Sequence, residues 1–240
     1  MANAQNVTAK TSVCHLCGQL RGDPHADLIN ALLTEEGGAD VATAEYSRRV
    51  ILESGSFAVI PSLGALGPTH CLLCPKSHAL SFAGLDSLLQ EECTLVRQRL
   101  RALLLRVQPG YVFQFEHGSP HFSKGRLVCS VAHAHLHFLS VAQNFNVIGE
   151  SGLIWKTFDG SLADLARRTE GVEYLSLTTP DGIHHFCRAA EGAKKQAFNS
   201  QILRRLFASR LGLGERWNWR EHPDARRADA IWRTLSAVVS

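Results

Sequence analysis

Three histidines at every second position, His133, His135 and His137, restrict the fold of this 240-residue chain more than any other feature. Residues two apart in a β-strand share a face, so the segment 127–141 is predicted to be a strand, continuous or interrupted, with these imidazoles on one side. Three imidazoles on one face are an unusual way to build a core. The pattern therefore indicates a site on the histidine face. Two alternatives stay open: a histidine-rich strand that binds nothing, and a purely structural metal site.

The elements predicted around this segment are those of an α+β protein. The clearest helix runs from Ser87 to Val107, where apolar residues recur at helical spacing, and Ser87 forms a capping box with Gln90. Short apolar runs bounded by turn residues predict strands over residues 49–60 (two strands), 70–74 and 111–115. With the histidine strand they form an antiparallel sheet of about five strands, on which the long helix packs.

The pattern changes after about residue 150. A short capped helix is predicted over residues 161–168, and Pro180-Asp181-Gly182 between two β-prone runs indicates a hairpin. Two basic amphipathic helices follow, at roughly 197–211 and 223–238. The chain is therefore divided into residues 1–150 and a C-terminal α/β extension, residues 151–240.

Composition excludes several classes of protein. Hydrophobic residues make up 45% of the chain and charged residues 20%, so the chain can bury a core and is neither collagenous nor disordered throughout. No apolar run approaches the roughly 20 residues that a membrane span needs, and the first residues lack the apolar stretch of a secretory signal. We therefore expect a cytoplasmic protein. The net charge of +3 is too small to indicate nucleic-acid binding by itself.

The cysteines indicate a metal site. Seven is an odd number, and in a reducing compartment they are thiols or metal ligands. Cys14-His-Leu-Cys17-Gly18 has the geometry of a zinc knuckle, in which two thiolates bind one ion. Two more ligands are needed. Cys71 and Cys74 are the competing pair, which we disfavour because residues three apart in a strand point to opposite faces.

The residues 133–139 resemble the His-φ-His-φ-His-φ-φ signature of the histidine-triad (HIT) superfamily of nucleotide hydrolases and transferases. Upstream, Pro68-Thr-His70 and Pro75-Lys-Ser-His78 resemble the family's Pro-Gly-His and Pro-Lys-x-His patterns, although Thr69 stands where the family has glycine. The resemblance covers residues 57–141. It implies that residues 1–150 are a HIT-like catalytic domain with an N-terminal zinc knuckle and a HIT-like sheet.

The resemblance implies a covalent mechanism. His135 would attack the α-phosphorus of a nucleotide conjugate and form a nucleotidyl-histidine, while a backbone carbonyl holds its second ring nitrogen. His137 and Ser130 would donate to the phosphoryl oxygens or the leaving group. His70 would support the nucleophile's strand, or else be an ordinary buried histidine. Histidine at the third triad position favours hydrolysis over the uridylyltransferase branch, which carries glutamine there.

Zinc-bearing HIT proteins imply the two missing metal ligands. They pair an N-terminal Cys-x-x-Cys with the histidine of Pro-Lys-x-His and the first triad histidine. Here the ligands would be Cys14, Cys17, His78 and His133. Such an ion would tie the N-terminus to the sheet, so its role would be structural. Family members also commonly dimerise, which makes a homodimer the expected assembly.

Five further residues are candidate substrate contacts. Phe115-Glu116-His117-Gly118 resembles a stretch of galactose-1-phosphate uridylyltransferases, so Glu116 would bind a sugar, organise the loop or be a solvated acid. His121, in the loop facing the triad, is a candidate extra contact, whereas His117 carries no motif and is interpreted as a surface or loop histidine. The C-terminal segment resembles CwfJ-like HIT proteins. Its arginines, Arg204, Arg205 and Arg220, would either contact phosphates or form a solvated face.

The sequence therefore predicts a nucleotide hydrolase that acts on a dinucleoside polyphosphate, a nucleoside phosphoramidate or a related conjugate. The alternatives are a phosphorylase or nucleotidyltransferase that uses phosphate or a sugar phosphate as acceptor, and a non-catalytic nucleotide- or RNA-binding protein. RNA binding has little support, since no aromatic–basic platform of a known module is present.

Overall fold

We analysed a computed structural model of the chain, which describes residues 14–37, 47–119, 131–189 and 198–239. The described chain is α+β, as predicted, with seven α-helices and one open antiparallel sheet of eight strands. Among the described helices, none is both long and apolar enough to cross a lipid bilayer.

The helices fall into three groups along the chain. Two precede the first strand, one long helix follows the third strand, and four follow the fifth strand. They are α1 (His15–Arg21), α2 (Leu28–Gly37), α3 (Gln90–Val107), α4 (Val147–Glu150), α5 (Leu162–Thr169), α6 (Ile202–Arg210) and α7 (Ala225–Val239).

The strands form the sheet in the order β1-β2-β3-β5-β4-β7-β8-β6, and all neighbours are antiparallel. Their bounds are β1 (Leu52–Glu53), β2 (Phe57–Pro61), β3 (Cys71–Pro75), β4 (Tyr111–Gly118), β5 (Leu136–Val141), β6 (Lys156–Phe158), β7 (Tyr174–Thr178) and β8 (His184–Arg188).

The prediction of about five strands was wrong for the sheet as a whole. Strands β1 to β5 account for the five predicted strands, but β7 pairs along β4 from Gln114↔Thr178 to Gly118↔Tyr174. The β7–β8 hairpin and β6 therefore continue the same sheet instead of forming a separate one. The division of the chain near residue 150 stays a prediction.

One face of the sheet, which we call the covered face, packs under α3, α5 and α7. Side chains such as Phe57, Leu73 and Phe138 share a cluster with residues of these helices, including Leu100 and Leu235. Alternation along each strand sends every second side chain to this face. The long helix predicted over 87–107 is confirmed, as a 3-10 turn at Ser87–Leu89 followed by α3.

The capping box predicted at the start of that helix was wrong. The carboxylate of Asp86 accepts from Leu88 N–H, so it caps the turn in place of Ser87. The Gln90 amide oxygen accepts from the backbone N–H of Leu162 at 2.6 Å. Because the Gln90 side chain bonds to the start of α5, which is distant in sequence, it does not form the local capping box.

The opposite face, which we call the pocket face, is covered in two separate places. Helix α1 packs through Leu20 on β2 and β3. Helix α6 packs through Phe207 on β4, β5 and β7. His137 on β5 lies between them, since it pairs with Leu72 on one side and Phe115 on the other. The candidate site therefore lies on the part of the pocket face that is left open between α1 and α6.

The strand predicted over residues 127–141 is shorter than expected. Residues 127–130 lie outside the described residues, and β5 begins only at Leu136. Before it, Ala134 N–H donates to the carbonyl of Ala79 at 2.7 Å, so the chain bonds to the segment after β3 instead of extending β5. Of the three histidines, only His137 is therefore in a strand.

Candidate functional site

Two cysteines and two histidines converge beside the first turn of α1. Cys14 is the N-cap of this helix and Cys17 lies one turn on, so both thiols project from the same side. His78 follows β3 and His133 precedes β5. The four ligand atoms lie within 4.8 Å of one another. The sequence-based grouping of Cys14, Cys17, His78 and His133 is thus confirmed as a cluster able to hold a metal ion.

The distances within this cluster fit tetrahedral coordination. The Sγ of Cys17 lies 3.3 Å from Nδ1 of both His78 and His133, and the Sγ of Cys14 lies 3.5 Å from Nδ1 of His133. Sulfur–nitrogen edges of about 3.5 Å are expected around an ion at zinc–ligand distances. Nε2–H of His133 donates to the carbonyl of Pro75 at 2.8 Å, which leaves the Nδ1 lone pair for the ion.

Without a bound cation, burial favours the neutral forms of Cys17 and His133. Burial raises the pKa of the Cys17 thiol to about 11, helped by the nearby Cys14. Burial also lowers the pKa of His133, which keeps this imidazole neutral. A bound cation would favour the thiolate form of Cys17 and accept the lone pair of His133.

Gly18 is required for close packing. It lies within α1, and a Cβ there would come within 2.1 Å of the Cβ of Ala26. The disfavoured pair Cys71 and Cys74 is indeed divided between the two faces of β3.

His135 is held as a neutral imidazole with a free lone pair. A carbonyl can only accept, so Nδ1–H of His135 donates to the carbonyl of His133 at 2.7 Å. Nε2 therefore carries the lone pair. Burial, together with neighbouring positive charges that include Arg204, lowers the pKa of His135 to about 4. This is the arrangement that a nucleophilic imidazole needs at neutral pH.

A chain of hydrogen bonds fixes His137 in the opposite tautomer. Leu66 N–H donates to Nδ1 of His70 at 3.0 Å, so the proton of His70 is on Nε2. That proton is donated to Nδ1 of His137 at 2.9 Å, which leaves Nε2–H of His137 as a donor. Burial lowers the pKa of both rings well below the usual value. His70 thus orients His137 through a direct contact.

Stacking holds the His137 ring in place. The ring of Phe115 lies 4.5 Å from that of His137 at an angle of 11°, and Phe207 stacks on the other side of Phe115 at 4.6 Å. The rings of His135 and His137 are 5.0 Å apart between centroids. A lone-pair nitrogen and an N–H donor are therefore held side by side.

A pocket of about 230 Å³, which we call the main pocket, opens beside these two histidines. Helices α1 and α2 and strands β2 and β3 supply largely apolar walls. These include Leu16, Ile29, Ile60, Leu63, Leu72 and Trp219. Cys14 of the metal cluster also lines it. Within the walls, Gln19 is buried and its Nε2 has no hydrogen-bond partner among the described residues, so a polar ligand atom can accept from it.

Arg204 supplies a buried positive charge to the same pocket. Its Nε donates to the carbonyl of Trp217 at 2.8 Å and its Nη2 to that of Gly64 at 2.5 Å. Within the described part of the chain no carboxylate pairs with it, and burial lowers its pKa to about 9. Buried charges are costly unless they are paired. An anionic ligand group beside His135 would provide the missing partner.

The other two candidate arginines differ in position. Arg220 lines the main pocket, with its guanidinium 5.1 Å from the ring centroid of Trp219. Arg205 is exposed and lies over Trp217 at 3.2 Å, away from the residues that line the pocket.

Glu116 is on the covered face, away from the main pocket. One carboxylate oxygen accepts from Phe82 N–H at 2.8 Å and the other from the Tyr174 hydroxyl at 2.5 Å. Burial raises its pKa to about 7 against these two hydrogen bonds. Of the remaining predicted contacts, His121 and Ser130 lie outside the described residues.

A second, small pocket of about 20 Å³ adjoins the two histidines on the side of α6. It is shared by His135, His137 and Arg204, and is completed by His117 and Gln201. Sequence analysis missed both of these residues. The alternation of β4 could have placed His117, since it lies two residues after Phe115 on the same face. No local pattern marks Gln201.

Comparison with known proteins assigns no family: the chain matches no family model, and no curated protein matches it. The pocket residues and the Cys/His cluster therefore carry the functional interpretation.

Proposed function

We propose that the protein is a nucleotide hydrolase of the histidine-triad type, which acts at the α-phosphorus of a nucleotide conjugate through a nucleotidyl-histidine at His135. The observation that carries this proposal is one juxtaposition. The lone pair of a neutral His135, the N–H of His137 and the unpaired charge of Arg204 meet at the main pocket. A nucleophile, a proton donor and a phosphate-binding cation are the groups that nucleotidyl transfer requires.

In the first step, Nε2 of His135 forms a bond to the α-phosphorus, and the bond from phosphorus to the leaving group breaks. The leaving group departs with the electron pair of that bond. His137 donates its Nε2–H to the leaving group or to a phosphoryl oxygen, and Arg204 balances the negative charge of the phosphoryl group. In the second step, water attacks the same phosphorus, and the electron pair of the nitrogen–phosphorus bond returns to His135.

The main pocket suits the nucleoside of such a substrate. Its apolar walls can enclose a base, and the free Nε2 of Gln19 can donate to an acceptor on the base. The preferred substrates are the predicted class: dinucleoside polyphosphates, nucleoside phosphoramidates and related conjugates. In each of these the α-phosphate joins a nucleoside to a leaving group.

We further propose that the Cys/His cluster holds zinc in a structural role. Two thiolates and two imidazoles are the donor set that zinc prefers for closed, four-coordinate sites. Cys14, Cys17, His78 and His133 would hold the ion and thereby fix α1, which forms a wall of the main pocket. Because His133 also provides the carbonyl that orients His135, the cluster positions the nucleophile without taking part in the reaction.

The test is nucleotide release from a panel of dinucleoside polyphosphates, nucleoside phosphoramidates and nucleotide sugars, with and without phosphate. Wild type is compared with His135→Ala and with His25→Ala, which removes an exposed histidine outside the pocket. We expect monophosphate release by wild type and His25→Ala, and at least a roughly 10⁴-fold loss in folded His135→Ala. Intact-protein mass spectra of alkali-quenched wild type should show the added nucleotidyl group.

Two results would contradict the proposal. Release of diphosphate only in the presence of phosphate would assign the protein to the phosphorylases. Nucleotide binding without turnover, unchanged in His135→Ala, would indicate a binding protein.

A further inference from the structure

Two residues that line the small pocket each carry a buried polar atom that has no hydrogen-bond partner within the described part of the chain. These are Nδ1 of His117 and Oε1 of Gln201. Buried polar atoms are nearly always hydrogen-bonded, so two orphans that line one pocket indicate a polar ligand. The pocket adjoins His135 and His137, which places this ligand next to the proposed nucleophile.

His117 presents a lone pair to the pocket. Its Nε2 lies 2.6 Å from a carboxylate oxygen of Glu173, and a carboxylate accepts, so Nε2 carries the proton. In the neutral ring, Nδ1 is then a hydrogen-bond acceptor.

Gln201 presents a second acceptor. The Oδ1 of Asn218 accepts from the backbone N–H of Arg220 at 3.3 Å, so the Gln201 group bonded to the same Oδ1 at 3.2 Å is its NH₂. This leaves Oε1 unpaired. Gln201 also has a left-handed backbone, with φ of 58°, which is uncommon for a residue other than glycine. A strained backbone that aims a side chain at a pocket is a feature of functional sites.

The pocket also offers donors. Nε2–H of His137 is not used by His70, and Arg204 uses only two of its five N–H groups on the backbone carbonyls described above. Two acceptors and at least one donor match the hydrogen-bonding pattern of a water molecule. The volume of about 20 Å³ is comparable to what one ordered water requires.

We propose that the small pocket holds the water that hydrolyses the nucleotidyl-histidine, with His117 as its general base and Glu173 as the positioning residue of that base. This inference rests on the proposed function. A water oxygen bonds to the α-phosphorus while the nitrogen–phosphorus bond to His135 breaks and its electron pair returns to Nε2. The water proton passes to Nδ1 of His117, and the product is a nucleoside monophosphate. Gln201 orients the water through its second hydrogen.

The test uses p-nitrophenyl esters of nucleoside 5′-monophosphates, because p-nitrophenolate leaves without needing a proton. The rate at which the nucleotidyl-histidine forms is then insensitive to acid catalysis. Only the rate of its hydrolysis depends on the general base. In folded His117→Asn, we expect a stoichiometric burst of p-nitrophenolate at a rate close to that of wild type. The following steady state should be slower by about 10²-fold, with nucleotidyl-enzyme accumulating in intact-protein mass spectra.

Two further variants separate the roles. Glu173→Gln keeps His117 but removes the carboxylate, so we expect the same burst with a smaller loss, about 10-fold, in the steady state. His25→Ala should neither accumulate the intermediate nor change the rate. Fluoride has no proton to lose, so as acceptor it should discharge the nucleotidyl group equally fast from wild type and His117→Asn.

The two proposals fail in different ways. A nucleotidyl-enzyme that forms in wild type but disappears equally fast in His117→Asn would overturn the water site alone. Equal losses in burst and steady state, or slower discharge by fluoride in the variant, would also overturn it. If neither wild type nor any variant forms a His135-dependent nucleotidyl-enzyme, the proposed function itself is wrong.

Discussion

The two faces of the sheet treat their buried polar groups differently, and β4 shows this within consecutive residues. Glu116 on the covered face has both oxygens bonded, to Phe82 N–H and to the Tyr174 hydroxyl. His117, on the pocket face, has one nitrogen bonded to Glu173, and the other has no partner in the part of the chain that the structure describes. Satisfied polar groups fix a unique packing, whereas unsatisfied ones cost stability unless a ligand binds.

The arginines repeat the contrast. Arg97, on the covered face, donates to the side chains of Gln114 and Thr178 and to the carbonyl of Gly160. Arg204, on the pocket face, donates only to two backbone carbonyls and lines both pockets beside His135; among the described residues, neither arginine pairs with a carboxylate. In these two pairs of residues, the polar groups of the covered face bond to other protein groups and stabilise the packing, whereas those beside the pockets keep atoms that a ligand can bind.

The largest expected effect is loss of the Cys/His cluster, which supports the pocket face. Cys17→Ser should lose the metal and at least about 4 kcal/mol of unfolding free energy, because metal binding is coupled to folding. Metal analysis and denaturant titration measure both. Cys93→Ser, at a buried thiol of the covered face, is the control and should keep the metal while losing about 1–3 kcal/mol. A Cys17→Ser protein with stoichiometric metal would refute the ligand assignment.

Replacing each arginine by methionine should separate activity from stability. Arg97→Met leaves several acceptors unpaired, so we expect a loss of about 4 kcal/mol in unfolding free energy with nearly normal turnover in the folded protein. Arg204→Met leaves two backbone carbonyls unpaired, so we expect a smaller loss of about 2 kcal/mol in unfolding free energy, whereas kcat/KM should fall by at least about 10²-fold. Denaturant curves and steady-state kinetics measure both quantities. A larger loss of stability in Arg204→Met, or a larger loss of activity in folded Arg97→Met, would contradict the contrast between the two faces.

Glu116 should make the stability of the covered face depend on pH. Burial raises the pKa of Glu116 from 4.5 to about 7, so the folded state holds a proton that the unfolded state releases between these values. The contribution to stability is therefore greatest below pH 4.5 and is lost as the pH rises through about 7, by up to about 3 kcal/mol. Unfolding free energies of wild type and Glu116→Gln, measured across this range, should differ in slope. Parallel curves would show that Glu116 does not titrate there.

The smallest expected effect is at Gln19. Gln19→Leu removes a buried amide whose Nε2 has no partner among the described residues, so the free protein should be about as stable as wild type. The lost hydrogen bond to the substrate should raise KM by about 3- to 10-fold and leave kcat nearly unchanged. A fall in kcat with constant KM would place Gln19 in the reaction instead of in binding.

The residues with local or regular spacing were predictable from the sequence. The spacing of Cys14 and Cys17 and the pattern around His78 and His133 identified the cluster that the structure brings within 4.8 Å. Helical periodicity predicted the long helix that became α3. Such patterns arise from the periodicity of one helix, strand or turn, and the residues of one element are consecutive in the sequence.

Other features could not be predicted, because they depend on which distant segments meet. The long helix is capped by a residue other than the predicted one, because Gln90 bonds to α5. The histidine strand shortened because Ala134 bonds to Ala79. The small pocket exists because α6 places Gln201 next to His117, and no spacing within either segment encodes that meeting.

The sequence by itself therefore determined the class of fold and the chemical groups of the site, namely four side chains able to hold a metal ion and the two histidines His135 and His137. Only the tertiary structure decided which of their atoms are free. It joined the C-terminal strands to the same sheet, turned Glu116 into a satisfied structural carboxylate and left His117 with an open lone pair. The physical reason is that residue type fixes which hydrogen bonds a side chain can donate or accept. Long-range packing decides whether another protein group already makes those hydrogen bonds.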